Sequence, residues 1–220
     1  MSTQERKQRE KQQRREAILD AAENEIFAKG LDQATMDEIA ERAELSKGTL
    51  YLYFRNKNEL YMGLCERGSS LLNQRFAKVL TADRSGIELV RMLGETYIDF
   101  VRENPDYFRT FLYYESFDDE EELEQSEVAC NCEDNVREAF TYTVRALQIG
   151  MQDGTIDDSR DPRQLALIIW GATRGIIKLS FMKETGHHLQ VLEEVEGDFK
   201  TLYDRFQDIV LRGIAPSSEK

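Results

Sequence analysis

Ser46-Lys47-Gly48-Thr49-Leu50-Tyr51-Leu52-Tyr53-Phe54, with Arg55 and Lys57 just behind, crowds hydroxyls, cations and aromatic rings into a few helical turns. From Leu45 to Asn58 no acid opposes Lys47, Arg55 and Lys57, although the chain carries 42 Asp and Glu against 29 Lys and Arg, a net charge of -13. The chemistry on offer is recognition of a phosphate backbone. Ser46 and Lys47 would open a helix, where backbone N–H groups and the dipole favour an anion. Gly48 would let a duplex approach with no side chain in the way. Tyr51 and Tyr53 can donate to phosphates or lay a ring on a thymine methyl, with Thr49 beside them, and Lys57 would clamp a second phosphate. Rings at helical spacing also build small helical cores, and spacing alone leaves both readings open.

Other reactive residues are sparse. Cys65, Cys130 and Cys132 form no framework pattern, which suits a reducing cytoplasm. Cys130-Asn-Cys132 and His187-His188 are soft-metal donors in type, but they lie far apart in sequence and lack zinc-finger spacing, so exposed polar side chains are the default and no metal or cofactor is expected. Oxidation of the cysteines is the other option. No phosphate loop, nucleophile elbow or dinucleotide glycine motif is present, so no enzyme is expected.

These residues need elements to position them, and the apolar spacing is helical throughout. A first helix over Arg14–Lys29 would bury Ile18, Ala22, Ile26 and Phe27 and stop at Gly30. Thr35-Met-Asp-Glu38 is a capping box for a short second helix. Ser46 would cap a third helix anchored by Leu50 and Phe54, and Asn56 with Glu59 would start a long fourth helix. Two short helices joined by a tight turn, behind a supporting helix, form a helix-turn-helix. Beyond Thr81, Ser85–Glu88, Asn104-Pro105, a segment from about Asp134 to Gln152, Asp161-Pro162 and Phe199–Val210 mark further helices, giving an all-α chain of about nine. A composition 40% apolar and 32% charged is that of a soluble globular protein. The opening MSTQERKQREKQQRRE holds no apolar stretch for a secretory signal, and the longest apolar run, Leu165–Ala172, is too short to span a bilayer, so a cytoplasmic protein without membrane contact is expected. Residues 1–13 form a basic arm expected to be disordered, and its charges are as readily a solvated face as a DNA contact.

Ala17-Ile-Leu-Asp-Ala-Ala22, Phe27-Ala-Lys-Gly30, Thr35-Met-Asp-Glu-Ile-Ala40, Ser46-Lys-Gly-Thr-Leu-Tyr51, Tyr53-Phe54, Lys57 and Leu60 together closely resemble the N-terminal domain of the tetracycline-repressor (TetR/AcrR) family of bacterial transcriptional regulators. The resemblance implies a DNA-binding domain over 14–60, a ligand-binding and dimerising domain over 61–220, and a homodimer whose recognition helices enter major grooves of a palindromic double-stranded operator. It also implies that Thr35, Ser46, Lys47, Tyr51 and Lys57 hold the phosphate backbone and that Gly48, Thr49 and Tyr53 lie nearest the bases. Two departures stand out. Glu44 occupies the turn where the family usually has glycine, which puts the turn's shape in question, and Leu52 replaces a common tyrosine.

The last two helices carry broad apolar faces suited to pairing with their copies as a four-helix bundle, although such faces also serve as ordinary core. Met92, Tyr97, Phe100, Phe108, Phe111, Tyr142, Met151 and Trp170 are candidates to line an effector pocket for a small hydrophobic or aromatic molecule. Arg174, four residues after Trp170, could meet an acidic ligand or a carboxylate of the protein itself. The function expected is a transcriptional regulator, a repressor released by its effector, with the long fourth helix as lever. The alternative is a constitutive dimeric DNA-binding protein without an effector pocket.

Overall fold

The computed structural model describes residues 3–117, 126–184 and 190–216, and among them every regular element is a helix. In chain order these are α1 (Thr3–Lys29), α2 (Met36–Arg42), α3 (Lys47–Tyr51), α4 (Lys57–Val79), α5 (Gly86–Glu103), α6 (Pro105–Glu115), α7 (Glu127–Gln152), α8 (Pro162–Glu184), α9 (Val191–Glu194) and α10 (Phe199–Ile214). The tenth helix, beyond the nine read from periodicity, is α9, a single turn too short for any pattern to register.

The chain divides into two compact units, Met1–Leu71 with Val101–Val136, and Leu72–Phe100 with Arg137–Lys220. The divisions fall inside α4, α5 and α7, so the first unit holds α6 and the start of α7 as well as the whole segment 14–60. Its core gathers Ile18, Leu19, Ala22 and Ile26 from α1, Ile39 from α2, Leu50 and Phe54 around α3, and Leu60 and Leu64 from α4, all essentially inaccessible. Gly63 permits a close approach: a Cβ there would stand 2.9 Å from both Leu19 Cδ2 and Phe54 Cε1. Arg67 of α4 ties down α1 through Glu16 (2.6 Å), Asp20 (2.7 Å) and Glu23 (3.1 Å). Glu23 also accepts from the Tyr107 hydroxyl at 2.7 Å, and the Tyr107 ring meets Phe27 edge-on.

In the second unit the core is Phe76, Leu89, Leu93, Tyr97, Phe100, Leu147, Ile177, Tyr203 and Leu211. The start of α5 presses on the end of α7 so closely that a Cβ on Gly86 would lie 1.9 Å from the Gly150 nitrogen. Asp153 and Thr155, flanking Gly154 in its left-handed turn, cap α5 by accepting from the Gly86 and Ile87 N–H groups at 2.7 and 3.2 Å.

Three expectations change. Residues 3–13 are not a disordered arm but the exposed beginning of a 27-residue α1, since no Gly or Pro interrupts them and Arg6–Glu10 and Gln12–Glu16 pair one turn apart. Helix α7 starts at Glu127 rather than near Asp134, because the Ser126 hydroxyl accepts from Ala129 N–H at 3.3 Å and Val128, Ala129 and Cys132 are buried. The acidic run falls largely in 118–125, and the expected stop at Gly186 and the pair His187-His188 also lie outside the described residues. Finally, Pro162–Lys183 is long and apolar enough, by length and composition, to cross a membrane, with mean hydropathy 1.4 and only 28% of that stretch buried inside the chain. The run of eight apolar residues understated it, because its charges are spaced widely enough to leave the average apolar.

Candidate nucleic-acid interface

The candidate site is α2, the turn after it, α3 and the first turn of α4. Thr35 caps α2: its hydroxyl accepts from Glu38 N–H at 3.2 Å, while the Glu38 carboxylate accepts from the Thr35 N–H (3.1 Å) and hydroxyl (2.9 Å). Glu38 also meets the Lys29 ammonium at 2.9 Å. That ammonium above all, and then Thr35, lower the Glu38 pKa to about 2. Lys29 and Arg42 converge in turn on the buried carboxylate of Glu25, at 2.7 and 2.6 Å, and hold it in its charged form.

Glu44 does take up the left-handed conformation, with φ 56, the only such non-glycine among the described residues. The turn therefore keeps a glycine-type shape despite the missing glycine. Glu44 N–H donates to Glu41 O at 3.0 Å and Leu45 N–H to Ala40 O at 2.9 Å, the paired closing bonds of a Schellman stop. These bonds satisfy the last carbonyls of α2 and aim the chain straight into α3.

Ser46 caps α3, its Oγ accepting from Thr49 N–H at 3.1 Å and lying 2.8 Å from Thr49 Oγ1. With Leu50 and Phe54 fully buried, the opposite side of this short helix has to face outward. Lys47, Gly48 and Tyr51 are exposed, Thr49 and Tyr53 half-buried, and Leu52 is 81% exposed. A Cβ on Gly48 would meet only Ser46 Oγ, at 4.0 Å, so its bareness serves nothing inside the chain. Tyr51 and Tyr53 are thus not core rings, while Phe54 is.

Each cation in the site has an internal partner that the sequence did not announce. Lys47 Nζ lies 2.6 Å from Asp37 Oδ1, a contact that raises the Lys47 pKa. Lys57 Nζ donates to the carbonyls of Asp32 (3.2 Å) and Ala34 (3.1 Å), fastening the α1–α2 loop to the start of α4. Asn56 Oδ1 accepts from Glu59 N–H at 2.8 Å, as its spacing suggested, but the Glu59 carboxylate reaches back to Arg55 N–H, one residue before the cap. Glu59 also accepts from the Ser126 hydroxyl at 3.2 Å, and Asn58 accepts from Tyr113 at 3.0 Å. Within this unit, α6 and the start of α7 therefore grip the turn that carries Lys57.

The proposed effector-lining residues are divided between the two units. Phe108 and Phe111 are core residues of the first. In the second, Phe76, which periodicity on α4 could have flagged, stands 6.4 Å from both Tyr97 and Tyr142. Arg75 lies over the Phe100 ring at 5.2 Å. Arg174 lies over the Trp170 ring at 5.5 Å, while Met92 and Met151 are half-buried. Cys130 is exposed, and Cys132 is buried with its thiol donating to Met62 O at 3.3 Å. Hydrogen bonding with Cys65, and then burial, raise the Cys132 pKa far above the ordinary thiol range, which disfavours the reactive thiolate. Among the described residues no three His, Cys, Asp or Glu side chains gather to hold a metal.

A protein-family model described as bacterial regulatory proteins, tetR family, matches residues 18–62, which is the helix-turn-helix just described. Residues 18–62 carry a tetR-family segment. An uncharacterized helix-turn-helix transcriptional regulator of Haemophilus influenzae is 31% identical over 101 residues, 46% of this chain and 54% of that protein. The match thus spans about half of that relative's length. The transcriptional activator FasR of Mycolicibacterium smegmatis is 26% identical over 156 residues, 67% of this chain and 71% of its own. Among solved structures, the regulator FadR of Bacillus subtilis in complex with stearoyl-CoA is similar with a TM-score of 0.66 at 20% identity, over 90% of this chain and 98% of that one. A TetR/AcrR regulator from Thermobifida fusca gives a TM-score of 0.68 at 18% identity, over 91% and 98%. At such identities the structural likeness is one of fold. The matched segment 18–62 is that of DNA-binding bacterial regulatory proteins.

Proposed function

We propose that this chain is a homodimeric TetR-family repressor that holds a palindromic operator and leaves it when a small hydrophobic molecule binds. The observation that carries the reading is the division of α3, which buries Leu50 and Phe54 and turns Lys47, Gly48, Tyr51 and half of Tyr53 outward. In this reading Ser46, Lys47, Tyr51 and Lys57 contact phosphates, and Gly48, Thr49 and Tyr53 approach the bases. Thr35 is the weakest of the assigned contacts, because Glu38 already engages both its N–H and its hydroxyl. The operator-binding part is assigned to 14–60 and the sensing and pairing part to the residues beyond.

A second copy is invited by the apolar surface left open on α8 and α10. Ile168 (65% exposed), Leu167 and Leu179 on α8 and Ile209 (70% exposed) on α10 face outward, and Gly171 and Gly175 have nothing within 4 Å of a Cβ. Pairing of these faces accounts for an apolar helix that the chain itself leaves mostly uncovered. To hold both halves of an operator, the two recognition helices of such a dimer have to lie at the separation of successive major grooves, about 34–36 Å. Ile168→Glu should shift the protein toward monomer in analytical ultracentrifugation, and an unchanged mass would remove this face from the interface.

FadR, a neighbour in fold, is a regulator in complex with stearoyl-CoA, in keeping with an effector that is largely hydrocarbon. To act, the effector has to bind the DNA-incompetent state more tightly, and a coupling of about 1–3 kcal/mol would weaken operator binding roughly 5- to 150-fold. Because the relative FasR is named an activator, the sign of regulation is tested separately, with a promoter fusion. The primary test is fluorescence anisotropy with DNA flanking the protein's own gene, against a scrambled duplex. Specific binding lost in Lys47→Ala, with thermal stability kept, is the expected result. Full affinity in that variant would overturn the contact assignment.

A further inference from the structure

The first twelve described residues of α1 lie outside the helix-turn-helix, and their form is unusual. From Thr3 to Arg14 every side chain is exposed, and between Thr3 and Glu16 there is no apolar residue at all. Burial begins only at Arg15, whose guanidinium lies over the Phe54 ring at 5.4 Å and pairs with Glu66. Ahead of that anchor the helix continues for about 18 Å at 1.5 Å per residue. A helix of this kind has no face to bury against a protein, and so short a piece is marginal by itself. Its charge runs against that of the molecule: Arg6, Lys7, Arg9, Lys11 and Arg14 face only Glu5 and Glu10 in a chain whose net charge is -13.

The cations are also ordered. Arg6 is taken up by Glu10 at 2.8 Å. Lys7, Lys11 and Arg14 stand at i, i+4 and i+7 and so share one side of the helix over ~10 Å of its length. Like charges at that spacing weaken a helix in water. The repulsion becomes useful only when an array of anions lies alongside, and successive phosphates of a nucleic-acid strand are such an array. Arg9 projects from the opposite side.

We infer that the basic stripe Lys7–Lys11–Arg14 is a second DNA-backbone site, engaging phosphates that flank the operator without reading their sequence. The inference rests on the DNA-binding reading above and extends it beyond the helix-turn-helix. Neutralising a phosphate with each of three cations releases about three counterions, so the site contributes roughly -2.7 to the slope of log affinity against log salt. Between 50 and 200 mM salt that corresponds to roughly a 40-fold greater loss of affinity than for a protein lacking the stripe.

The test compares the wild type, the triple variant Lys7→Gln/Lys11→Gln/Arg14→Gln, Arg9→Gln, and the charge-retaining triple Lys7→Arg/Lys11→Arg/Arg14→Lys, all as full chains with thermal unfolding as the fold control. Each is titrated with operator duplexes carrying long and short flanks at several salt concentrations. The expected result is a slope flatter by about 2–3 for the glutamine triple on the long duplex, a smaller change on the short one, and near wild-type slopes for Arg9→Gln and the charge-retaining triple. An unchanged slope in the glutamine triple, with Lys47→Ala still abolishing binding, would overturn the second site and leave the first standing. Failure of the wild type to bind any duplex would overturn both. Loss of binding to phosphatidylserine vesicles with no change on DNA would show that the stripe serves a membrane instead.

Discussion

Glu44 offers a sharp test because its backbone and its charge can be perturbed separately. Its φ of 56 places an L residue in the left-handed region, at a cost of roughly 1–2 kcal/mol that glycine would not incur. Glycine gives part of this back, since its unfolded state has about 0.4–1 kcal/mol more conformational freedom to lose. Glu44→Gly should therefore stabilise the chain by about 0.5–1 kcal/mol. In a chain of this size such a gain raises the thermal midpoint by ~1–4 °C. Glu44→Gln keeps the strained backbone and should leave the midpoint where it was. Both variants remove a carboxylate that stands two residues from Ser46, so both should bind operator more tightly than wild type, and by similar factors. Calorimetry or fluorimetry reads the first effect, and anisotropy at fixed salt reads the second. A midpoint that falls in Glu44→Gly, or rises equally in Glu44→Gln, would refute the strain argument. Tighter DNA binding in the glycine variant alone would instead assign the gain to turn geometry.

Three further outcomes follow from neighbouring residues. Gly48→Ala has room inside the chain and should leave stability equal or slightly raised, yet weaken operator binding at least tenfold if the backbone comes close to DNA; anisotropy beside a melting curve separates the two. Asp37→Asn releases Lys47 from its 2.6 Å partner and should tighten binding to operator and scrambled DNA alike, by a few-fold, with a steeper salt slope. Glu38 has its pKa lowered to about 2 in the folded chain, from an ordinary value of 4.5, so its stabilising contribution is complete above that ordinary value and fades as pH falls toward 2. The thermal midpoint of Glu38→Gln should accordingly lie below wild type at neutral pH and converge with it in acid, and a constant gap across pH 2–6 would contradict the assignment.

The elements around α2, α3 and α4 were legible because their signals are local. Thr35 with Glu38, Ser46 with Thr49 and Asn56 with Glu59 form their bonds within one helical turn, so spacing alone announces them. Leu50 and Phe54 were legible for the same reason. What the spacing could not show is partnership across the fold. Asp37 opposite Lys47, the Asp32 and Ala34 carbonyls under Lys57, and Ser126 beside Glu59 are neighbours only once the helices pack. The arm misled for a different reason: composition signals disorder, but helix continuity through residues 3–13 depends on the anchor at Arg15 and the folded helix behind it. The effector residues were chosen by ring type and helical position, and type alone could not separate Phe108, a core residue of the first unit, from Tyr142 of the second.

The internal partners of Lys47, Lys57 and Thr35 bear on how such a protein would search a genome. A surface of bare cations would cling to any duplex and spend its time on the wrong ones. Under the proposed contacts a phosphate would have to displace Asp37 or share an ammonium with two carbonyls, so each contact would be an exchange rather than a simple gain. Weak exchanges of this kind break quickly on unrelated DNA and accumulate only where all of them can be made together. Short residence on chance sites, with long residence on the right one, would be the kinetic counterpart of partners that Lys47 and Lys57 already hold at home.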